Sequence, residues 1–345
     1  MTIAIDGAVA RAAAGRDLSR DEVTAAFGEI MDGAASADQV RALLVALRDK
    51  GETVDELVGA ATAMRARATP LACPTPEKSI DTCGTGGDGA GTVNISTLAA
   101  IVVAACGGAV VAKHGNRAQS SRCGSADVLE ALGVNADVEP AVVERCIKRA
   151  GIGFAFAPRF HAATRHAAPV RKAIGTRTIF NLLGPLTNPA RVRHQVVGVF
   201  DRRWCEPMAA ALGALGVRRA AVVHGADGLD ELAVRGDTFV AVLDGGAVHA
   251  RVLRPGDFGL ADADPAGLAG GDAAHNAGVS RRLLAGEPLG AVVHAVAMTA
   301  ALALALVDPG PLELGRLPER TALARAVLAD SRAAAVLERW IEAAR

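Results

Sequence analysis

Aromatic residues and net charge are both scarce in this chain of 345 residues. It contains 8 Phe, 2 Trp and no Tyr, and its 37 Lys and Arg residues balance its 37 Asp and Glu residues. A dedicated nucleic-acid binder usually has a basic excess and aromatic side chains on which bases stack, so both shortages argue against that class. With 51% apolar residues the chain is also too hydrophobic to be disordered.

Signals for secretion, membrane insertion and metal-binding cysteines are lacking as well. The N-terminus has no basic leader followed by an apolar run. The apolar segment 290–307 approaches the length of a membrane span, but it is rich in Ala and has no Lys or Arg at either edge, which favours a buried helix. The 6 Cys show no C-x-x-C spacing and are expected to be reduced thiols. We therefore expect a cytoplasmic protein without a membrane partner.

The N-terminal part of the chain has the pattern of short helices. Capping boxes of the type S/T-x-x-E/Q begin at Ser19, Ser36 and Thr53, and apolar residues at helical spacing follow the second and third. A Pro-rich hinge occupies residues 69–76. Beyond the hinge, short apolar runs alternate with helical stretches, which is typical of parallel βαβ units.

These patterns predict the fold class and several of its elements. The expected fold is α/β, with a small all-helical domain and a larger α/β domain whose central, mostly parallel sheet is flanked by helices. Strands are predicted at residues 109–112, 195–200 and 220–224. Helices are predicted at residues 98–106, 128–132 and 207–215.

Acidic residues are missing from two long segments. Residues 145–200 and 89–126 contain several Lys and Arg but no Asp or Glu. Such segments are able to hold anions. The alternative, that these cations cluster by chance and pair with carboxylates elsewhere in the fold, stays open at this point.

A glycine-rich segment, residues 84–89, matches G-x-G-x-x-G literally. A dinucleotide site needs an acidic residue about 20 positions later, and the next acid after Asp88 is Asp127. No Gly-Lys-Ser/Thr follows, so a Walker A loop is excluded too. Closely spaced glycines still let backbone N–H groups approach phosphate oxygens, which favours anion binding over a purely structural turn. Residues 94–97 then open the apolar helix.

A second polar motif, residues 113–121, has the sequence KHGNRAQSS and follows a predicted strand. Ligands gather at the carboxyl ends of strands in open α/β sheets. Two cations together with amide and hydroxyl side chains suit a polyanionic ligand, whereas surface charge is the weaker explanation for the whole cluster. Ser125, at the start of the next helix, is placed for a further phosphate contact.

Two further motifs suggest a metal and a second anion. Asp230 and Glu231 follow the predicted strand 220–224 and could bind a hard divalent cation, although taken alone they fit an exposed acidic helix start better. Arg171 could bind a planar carboxylate, while His161 on its own is expected to be structural. Together the motifs imply a phosphate-rich substrate and a divalent metal, and pyrophosphate is a leaving group that needs a metal clamp.

These motifs, in this order, resemble those of the anthranilate phosphoribosyltransferases: GTGGD, NIST, KHGNR followed by SS, GSADVLEALG, APVR to NLLGPLTNP, and HGADGLDE. The resemblance implies transfer of the 5-phosphoribosyl group from 5-phosphoribosyl-1-pyrophosphate (PRPP) to the amine of anthranilate in tryptophan biosynthesis. It implies a helical domain at 1–70, to which a segment at about 162–190 returns, and an α/β domain at 71–161 and 191–345. It also implies a homodimer through the helical domain and two Mg²⁺ ions per active site.

The resemblance further implies roles for individual residues. The residues that act in catalysis would be Lys113, Asn116 and Arg171. PRPP would be surrounded by Gly84, Gly87, Asp88, Thr92, Asn94, Ile95, Ser96, Thr97, Lys113, His114, Gly115, Asn116, Arg117, Ser120, Ser121 and Ser125. Magnesium would be held by Ser96, Asp230 and Glu231. Anthranilate would be received by Gly84, Asn116, Pro158, His161 and Arg171.

Two other functions remain as alternatives. A pyrimidine-nucleoside phosphorylase shares this two-domain architecture but would not need the acidic pair 230–231. A relative that has lost catalysis and binds nucleic acid would use the acid-free segment 145–200, but the zero net charge and few aromatic residues oppose it. We therefore expect no nucleic-acid partner.

Overall fold

A computed structural model of the chain describes residues 4–118 and 122–345. Its α-helices are α1 (Ala4–Ala13), α2 (Arg20–Met31), α3 (Ala37–Lys50), α4 (Val54–Ala66), α5 (Ile95–Cys106), α6 (Ser125–Leu132), α7 (Pro140–Ala150), α8 (Ala157–Phe160), α9 (Ala168–Ile174), α10 (Phe180–Leu186), α11 (Cys205–Ala214), α12 (Ala273–Leu284), α13 (Ala291–Val307), α14 (Leu317–Ala329) and α15 (Arg332–Ala343). Its strands are β1 (Ser79–Gly84), β2 (Val110–Gly115), β3 (Ile152–Phe156), β4 (His194–Gly198), β5 (Arg219–Gly225), β6 (Thr238–Asp244) and β7 (Ala247–Leu253).

The three predicted capping boxes are confirmed at the starts of α2, α3 and α4. The side chain of each cap residue, Ser19, Ser36 or Thr53, accepts a hydrogen bond from the backbone N–H three residues later. The Glu or Gln at that later position accepts the N–H of the cap residue in return. The starts of these helices are therefore determined by hydrogen bonds between residues that are close together in the sequence.

The seven strands form one sheet in the order β3-β2-β1-β4-β5-β6-β7. The first five strands in this order run parallel, whereas β6 and β7 pair antiparallel to their neighbours. The predicted α/β class and mostly parallel sheet are confirmed. The antiparallel pair β6–β7 was not predicted, and neither were β1 and β3.

The five parallel strands are buried on both faces, whereas the edge strand β7 is mostly exposed. Successive side chains along a strand point to opposite sides of the sheet. On β5, Ala221 and Val223 pack into a core that includes α5 and α13. Ala220 and Val222 pack on the other side, in a core that includes α11 and the four N-terminal helices. A strand buried on both faces has a continuous apolar sequence, which explains why the run 220–224 could be recognised.

Segment 162–190 packs against the N-terminal helices. Val170 of α9 and Leu183 of α10 belong to the same hydrophobic core as α1 to α4. The rings of Phe27 on α2 and Phe180 on α10 have centroids 5.6 Å apart. The chain thus leaves the sheet after β3, contacts the N-terminal helices, and returns to the sheet at β4.

The apolar segment 290–307 forms the buried helix α13, as predicted. Nearly all of its side chains are inaccessible, and it packs on α5, α14 and the central strands. Within residues 4–118 and 122–345, no helix has both the length and the apolar character needed to cross a membrane.

Candidate active site

Four parallel strands end on glycine at one edge of the sheet. These terminal residues are Gly84, Gly115, Gly198 and Gly225. A Cβ atom on Gly198 would lie 1.6 Å from the backbone oxygen of Asp230, and one on Gly84 would lie 2.5 Å from its carboxylate. The loop after β5 therefore presses directly on the ends of β1 and β4, and this close approach requires glycine there.

The glycine-rich loop after β1 is fixed by its neighbours. Gly86 and Gly87 have positive φ angles of 62° and 84°. The Gly86 N–H donates to the Asp230 carboxylate over 2.8 Å, and the Thr85 N–H donates to the Gly198 carbonyl over 2.9 Å. The loop is thus held on one side by the segment after β5 and on the other by the end of β4.

Three half-buried carboxylates, those of Asp88, Asp230 and Glu231, lie beside this loop. The Asp230 N–H donates to the Asp88 carboxylate over 3.5 Å. Burial, reinforced by the charge of Asp88, raises the pKa of Asp230 to about 7. Burial, reinforced by the charge of Asp230, also raises the pKa of Glu231 well above its ordinary value. The ionised forms of these carboxyls are poorly stabilised without a partner, so the site favours the uptake of a cation.

Lys113 and Ser96 complete this cluster. Lys113 is only 1% exposed, and its Nζ donates to the Thr82 carbonyl over 2.5 Å and to Ser96 Oγ over 3.3 Å. The backbone N–H of Ser96 donates to Glu231, and the charge of Lys113 opposes the rise in the pKa of that carboxylate. The structure therefore brings the three predicted magnesium ligands, Ser96, Asp230 and Glu231, to the same end of the sheet.

The donor set suits a hard divalent cation. Among the described residues, no three His, Cys, Asp or Glu side chains form a group arranged to hold a metal ion. Mg²⁺ usually takes one or two carboxylates and completes its octahedral shell with water and substrate phosphate oxygens. Two half-buried carboxylates, Asp230 and Glu231, beside the Ser96 hydroxyl fit this type of coordination.

At the start of α5, the side chains of Asn94, Ile95 and Thr97 are either hydrogen-bonded within the protein or buried. The Asn94 side chain donates to the Cys123 carbonyl over 3.2 Å and accepts from Asn276 over 3.0 Å. Ile95 and Thr97 are buried, at 1% exposure each. A ligand would therefore meet the backbone of these two residues rather than their side chains. Thr92, just before the helix, is bridged to Ala269.

The loop after β2 wraps around the start of α6. Ser125 Oγ donates to the Asn116 carbonyl over 3.2 Å. The Arg117 guanidinium pairs with Glu130 over 2.6 Å and with Asp127 over 3.3 Å, so it is already occupied by carboxylates. Arg117 is therefore an example of the alternative stated above, in which cations of the acid-free segment 89–126 pair with carboxylates outside that segment.

Two serines of the predicted PRPP set, Ser120 and Ser121, lie outside the described residues. Gly115, Asn116 and Ser125 lie at the carboxyl end of β2, where the strand-based prediction located them. A Cβ on Gly115 would lie 2.2 Å from Ser125 Oγ, so the loop and the helix start touch.

Two buried histidines lie next to this loop. The rings of His114 and His161 have centroids 5.0 Å apart, and His114 Nδ1 lies 3.1 Å from the Gly184 carbonyl. Burial lowers the pKa of His114 to about 3 and that of His161 to about 4, so both rings are neutral. Neither His114 Nε2 nor the ring nitrogens of His161 have a hydrogen bond of normal geometry to a described residue. Pro158, three residues before His161, is exposed on α8.

Arg171 lies on α9 in the returning segment. Its guanidinium covers the Phe180 ring at 4.8 Å, and burial lowers its pKa. No carboxylate of the described residues lies within ion-pair distance of it. A half-buried arginine in this state is suited to an anionic ligand.

Sequence reasoning missed three residues that shape this region. Asp81 is fully buried and accepts from Asn188 Nδ2 over 2.8 Å, which ties β1 to the end of the returning segment. Arg177 donates to the carbonyl of Gly87. Asp81 lies three residues before the glycine-rich segment 84–89, and Arg177 lies in the acid-free segment 145–200, but nothing in the local sequence reveals their partners.

The fold and this site define a two-domain glycosyl transferase. The a/b domain model of the glycosyl transferase family matches residues 76–334, and the helical bundle domain model of that family matches residues 7–68. An anthranilate phosphoribosyltransferase from Rubrobacter xylanophilus is 50% identical over 338 residues, which cover 98% of this chain and 97% of the relative. This chain belongs to the anthranilate phosphoribosyltransferase family.

Solved structures agree with that assignment. The crystal structure of anthranilate phosphoribosyltransferase from Thermus thermophilus matches with a TM-score of 0.90 and 46% identity, covering 98% of this chain and 99% of that one. The enzyme from Saccharomyces cerevisiae in complex with PRPP and Mg matches with a TM-score of 0.88 and 26% identity, covering 100% and 98%. The family predicted from the motifs is confirmed.

Proposed function

We propose that this chain transfers the 5-phosphoribosyl group of PRPP to the amine of anthranilate, releasing pyrophosphate and forming N-(5-phosphoribosyl)anthranilate. The observation that carries the proposal is the cluster of Lys113, Ser96 and half-buried carboxylates beside the glycine-rich loop. Its position at the carboxyl ends of parallel strands is where ligands bind in open α/β sheets. A relative that binds PRPP and Mg supports the same ligands here.

The glycine-rich loop and Lys113 would bind the pyrophosphate end of PRPP. Backbone N–H groups at closely spaced glycines approach phosphate oxygens without side-chain obstruction. The Lys113 ammonium is fixed by Thr82 and Ser96, so it reorganises little when negative charge develops on the leaving group. Mg²⁺, held by Ser96, Asp230 and Glu231, would supply Lewis-acid stabilisation of that charge.

Arg171 and Asn116 would orient anthranilate. Arg171 has no carboxylate partner among the described residues, so its guanidinium is available for the carboxylate of the substrate. The amine nitrogen then attacks C1 of the ribose as the bond from C1 to the pyrophosphate oxygen breaks, and the nitrogen releases a proton to the departing pyrophosphate or to solvent. Because an aromatic amine is neutral and nucleophilic at pH 7, positioning matters more here than a strong general base.

The two neutral histidines would add no positive charge to the part of the pocket that binds anthranilate. His114 and His161 carry no charge at neutral pH, so they do not compete with Arg171 for the substrate carboxylate. Pro158 and His161 would line the path by which anthranilate enters. We propose that these residues bind and guide the substrate without taking part in bond breaking.

We also propose the larger organisation that the resemblance implies. The helical unit comprises residues 1–70 with the returning segment 162–190, supported by their shared hydrophobic core. The α/β unit comprises residues 71–161 and 191–345. Two copies associate through the helical unit, each active site takes two Mg²⁺ ions, and the protein works in the cytoplasm. Sedimentation of the purified protein tests the dimer.

The test of the activity is an assay with purified protein, Mg²⁺, PRPP and anthranilate. Anthranilate fluorescence should fall, and the fall should stop when EDTA is added. Parallel reactions with a pyrimidine nucleoside and phosphate should yield no free base. Turnover of the nucleoside without loss of anthranilate would reject the proposal.

A further inference from the structure

Arg177 joins the returning helical segment to the glycine-rich loop. Its Nη2 donates to the carbonyl of Gly87, and its guanidinium lies over the Phe200 ring at 3.9 Å. None of the carboxylates of the described residues pairs with it. Arg177 is thus an arginine whose observed partners are a loop carbonyl and an aromatic face.

Phe200 connects this contact to the rest of the loop. The Phe200 N–H donates to Thr85 Oγ1 over 3.1 Å, and the Thr85 N–H donates to the Gly198 carbonyl over 2.9 Å. Arg177, Phe200, Thr85 and Gly87 therefore form a closed circuit of contacts around the loop. We refer to these four residues as the Arg177 clamp.

The contact with Gly87 sets the direction of the next N–H group. In a planar trans peptide the C=O and the following N–H point in opposite directions. When Arg177 holds the Gly87 carbonyl, the N–H of Asp88 must therefore point away from the helical segment. The Asp88 carboxylate accepts the backbone N–H of Asp230, in the segment after β5.

The other end of the clamp is anchored in the helical part of the molecule. Arg177 belongs to the link 175–179 between α9 and α10, and Arg48 of α3 donates to Thr176 in this link over 2.8 Å. Arg171, the proposed anthranilate ligand, lies on α9 immediately before the link. The stretch from α9 through the link thus bears two arginines, Arg171 for the anthranilate region and Arg177 for the PRPP region.

We propose that Arg177 is a positioning residue that presets the glycine-rich loop for PRPP. It acts through the Gly87 carbonyl and the Phe200 ring rather than by touching the reacting atoms. The proposal rests on the proposed function, because it names PRPP as the ligand of the loop. Arginine suits this task better than lysine, since a flat guanidinium donates in its plane while its face covers an aromatic ring.

The test compares Arg177→Ala, Arg177→Lys and Phe200→Leu with Arg202→Ala as the control. Arg202 also covers an aromatic ring, that of Phe239 at 3.7 Å, but it makes no observed contact with the described part of the loop. We expect Arg177→Ala to raise KM for PRPP about tenfold, the range of one charge-assisted hydrogen bond, and to leave KM for anthranilate within about twofold. Arg202→Ala should change neither constant.

Three further outcomes separate positioning from simple attraction of a polyanion. Arg177→Lys should restore less than half of the lost affinity, because the charge returns but the stacked geometry does not. Phe200→Leu should raise KM for PRPP in the same direction. The double variant Arg177→Ala/Phe200→Leu should be no worse than Arg177→Ala alone, since the two side chains act as one unit.

Amide hydrogen exchange gives a readout that needs no turnover. In Arg177→Ala without substrates, the amides of residues 85–90 should exchange faster than in the wild type, with an unchanged Tm. Full rescue by lysine, an additive double variant, or unchanged exchange of the loop would overturn the proposal. If the wild type shows no transferase activity, the proposed function fails, whereas the exchange experiment still tests the clamp.

Discussion

Replacing Gly198 by alanine tests the geometry on which the metal site depends. Gly198 ends β4, and a Cβ there would lie 1.6 Å from the backbone oxygen of Asp230 and 3.3 Å from its Cβ. Real Cβ contacts are rarely shorter than 3.0 Å. Either the end of β4 or the Asp230 backbone must therefore move by more than an ångström.

The size of the effect follows from what Asp230 does. Its carboxylate accepts the Gly86 N–H over 2.8 Å and is one of the proposed magnesium ligands. A displacement of about 1 Å at a catalytic site costs about 100-fold in rate, so we expect kcat/KM to fall by about that factor. Overpacking of this kind costs about 1–3 kcal/mol of stability, which the protein should survive in a folded state.

The assay is anthranilate fluorescence measured against Mg²⁺ concentration, with Tm recorded for each variant. Gly278→Ala is the matched control, because Gly278 lies within α12 and a Cβ there would meet nothing within 4 Å. It should keep full activity and gain about 0.5–1 kcal/mol of stability from the higher helix propensity of alanine. If Gly198→Ala keeps the Mg²⁺ dependence and rate of the wild type, the close contact between β4 and Asp230 has no catalytic importance and the proposed link between the two is wrong.

Three other predictions concern single side chains. Asp230→Asn should raise the Mg²⁺ concentration for half-maximal activity at least about tenfold, while raising Tm without Mg²⁺ because a poorly solvated carboxylate is removed; unchanged Mg²⁺ dependence would contradict the assignment. Arg171→Ala should raise KM for anthranilate about 10- to 100-fold, whereas exposed Lys172→Ala on the same helix should not, and equal effects would reject the role of Arg171. His161 is neutral when folded, since burial lowers its pKa from 6.5 to about 4, so the unfolded chain gains a proton first as pH falls. Stability should therefore decrease from pH 6.5 to pH 4, by at most about 3 kcal/mol from this residue, and His161→Gln should flatten the decrease measured by Tm against pH; an equal decrease in both proteins would contradict it.

The elements that could be predicted are those whose signals are local. A capping box is completed within four residues, so Ser19, Ser36 and Thr53 mark helix starts without knowledge of the fold. A strand buried on both faces, such as β5, has an apolar run that is visible in sequence. The hairpin of β6 and β7 was missed although Gly245 and Gly246 connect two strands there, a known hairpin signal.

The site was predicted only in its motifs, because its geometry depends on residues distant in the chain. Asp81 and Asn188 are 107 positions apart, and their hydrogen bond exists only because the chain returns to the sheet. Arg177 meets Gly87 across 90 positions for the same reason. Local pattern also could not show that Arg117 is already paired with Glu130. The motif resemblance predicted the type of reaction, whereas only the tertiary structure shows the hydrogen-bond and ion-pair partners of these residues.

Product analysis of a single reaction tests the proposed transferase activity itself. Purified protein, Mg²⁺, PRPP and anthranilate are incubated together, and anthranilate consumed, pyrophosphate released and N-(5-phosphoribosyl)anthranilate formed are each quantified by mass spectrometry and a coupled pyrophosphate assay. We expect equal amounts of all three, and none when Mg²⁺ is removed. Pyrophosphate released without loss of anthranilate, or no product at high protein concentration with Mg²⁺ present, would show that the proposed activity is wrong.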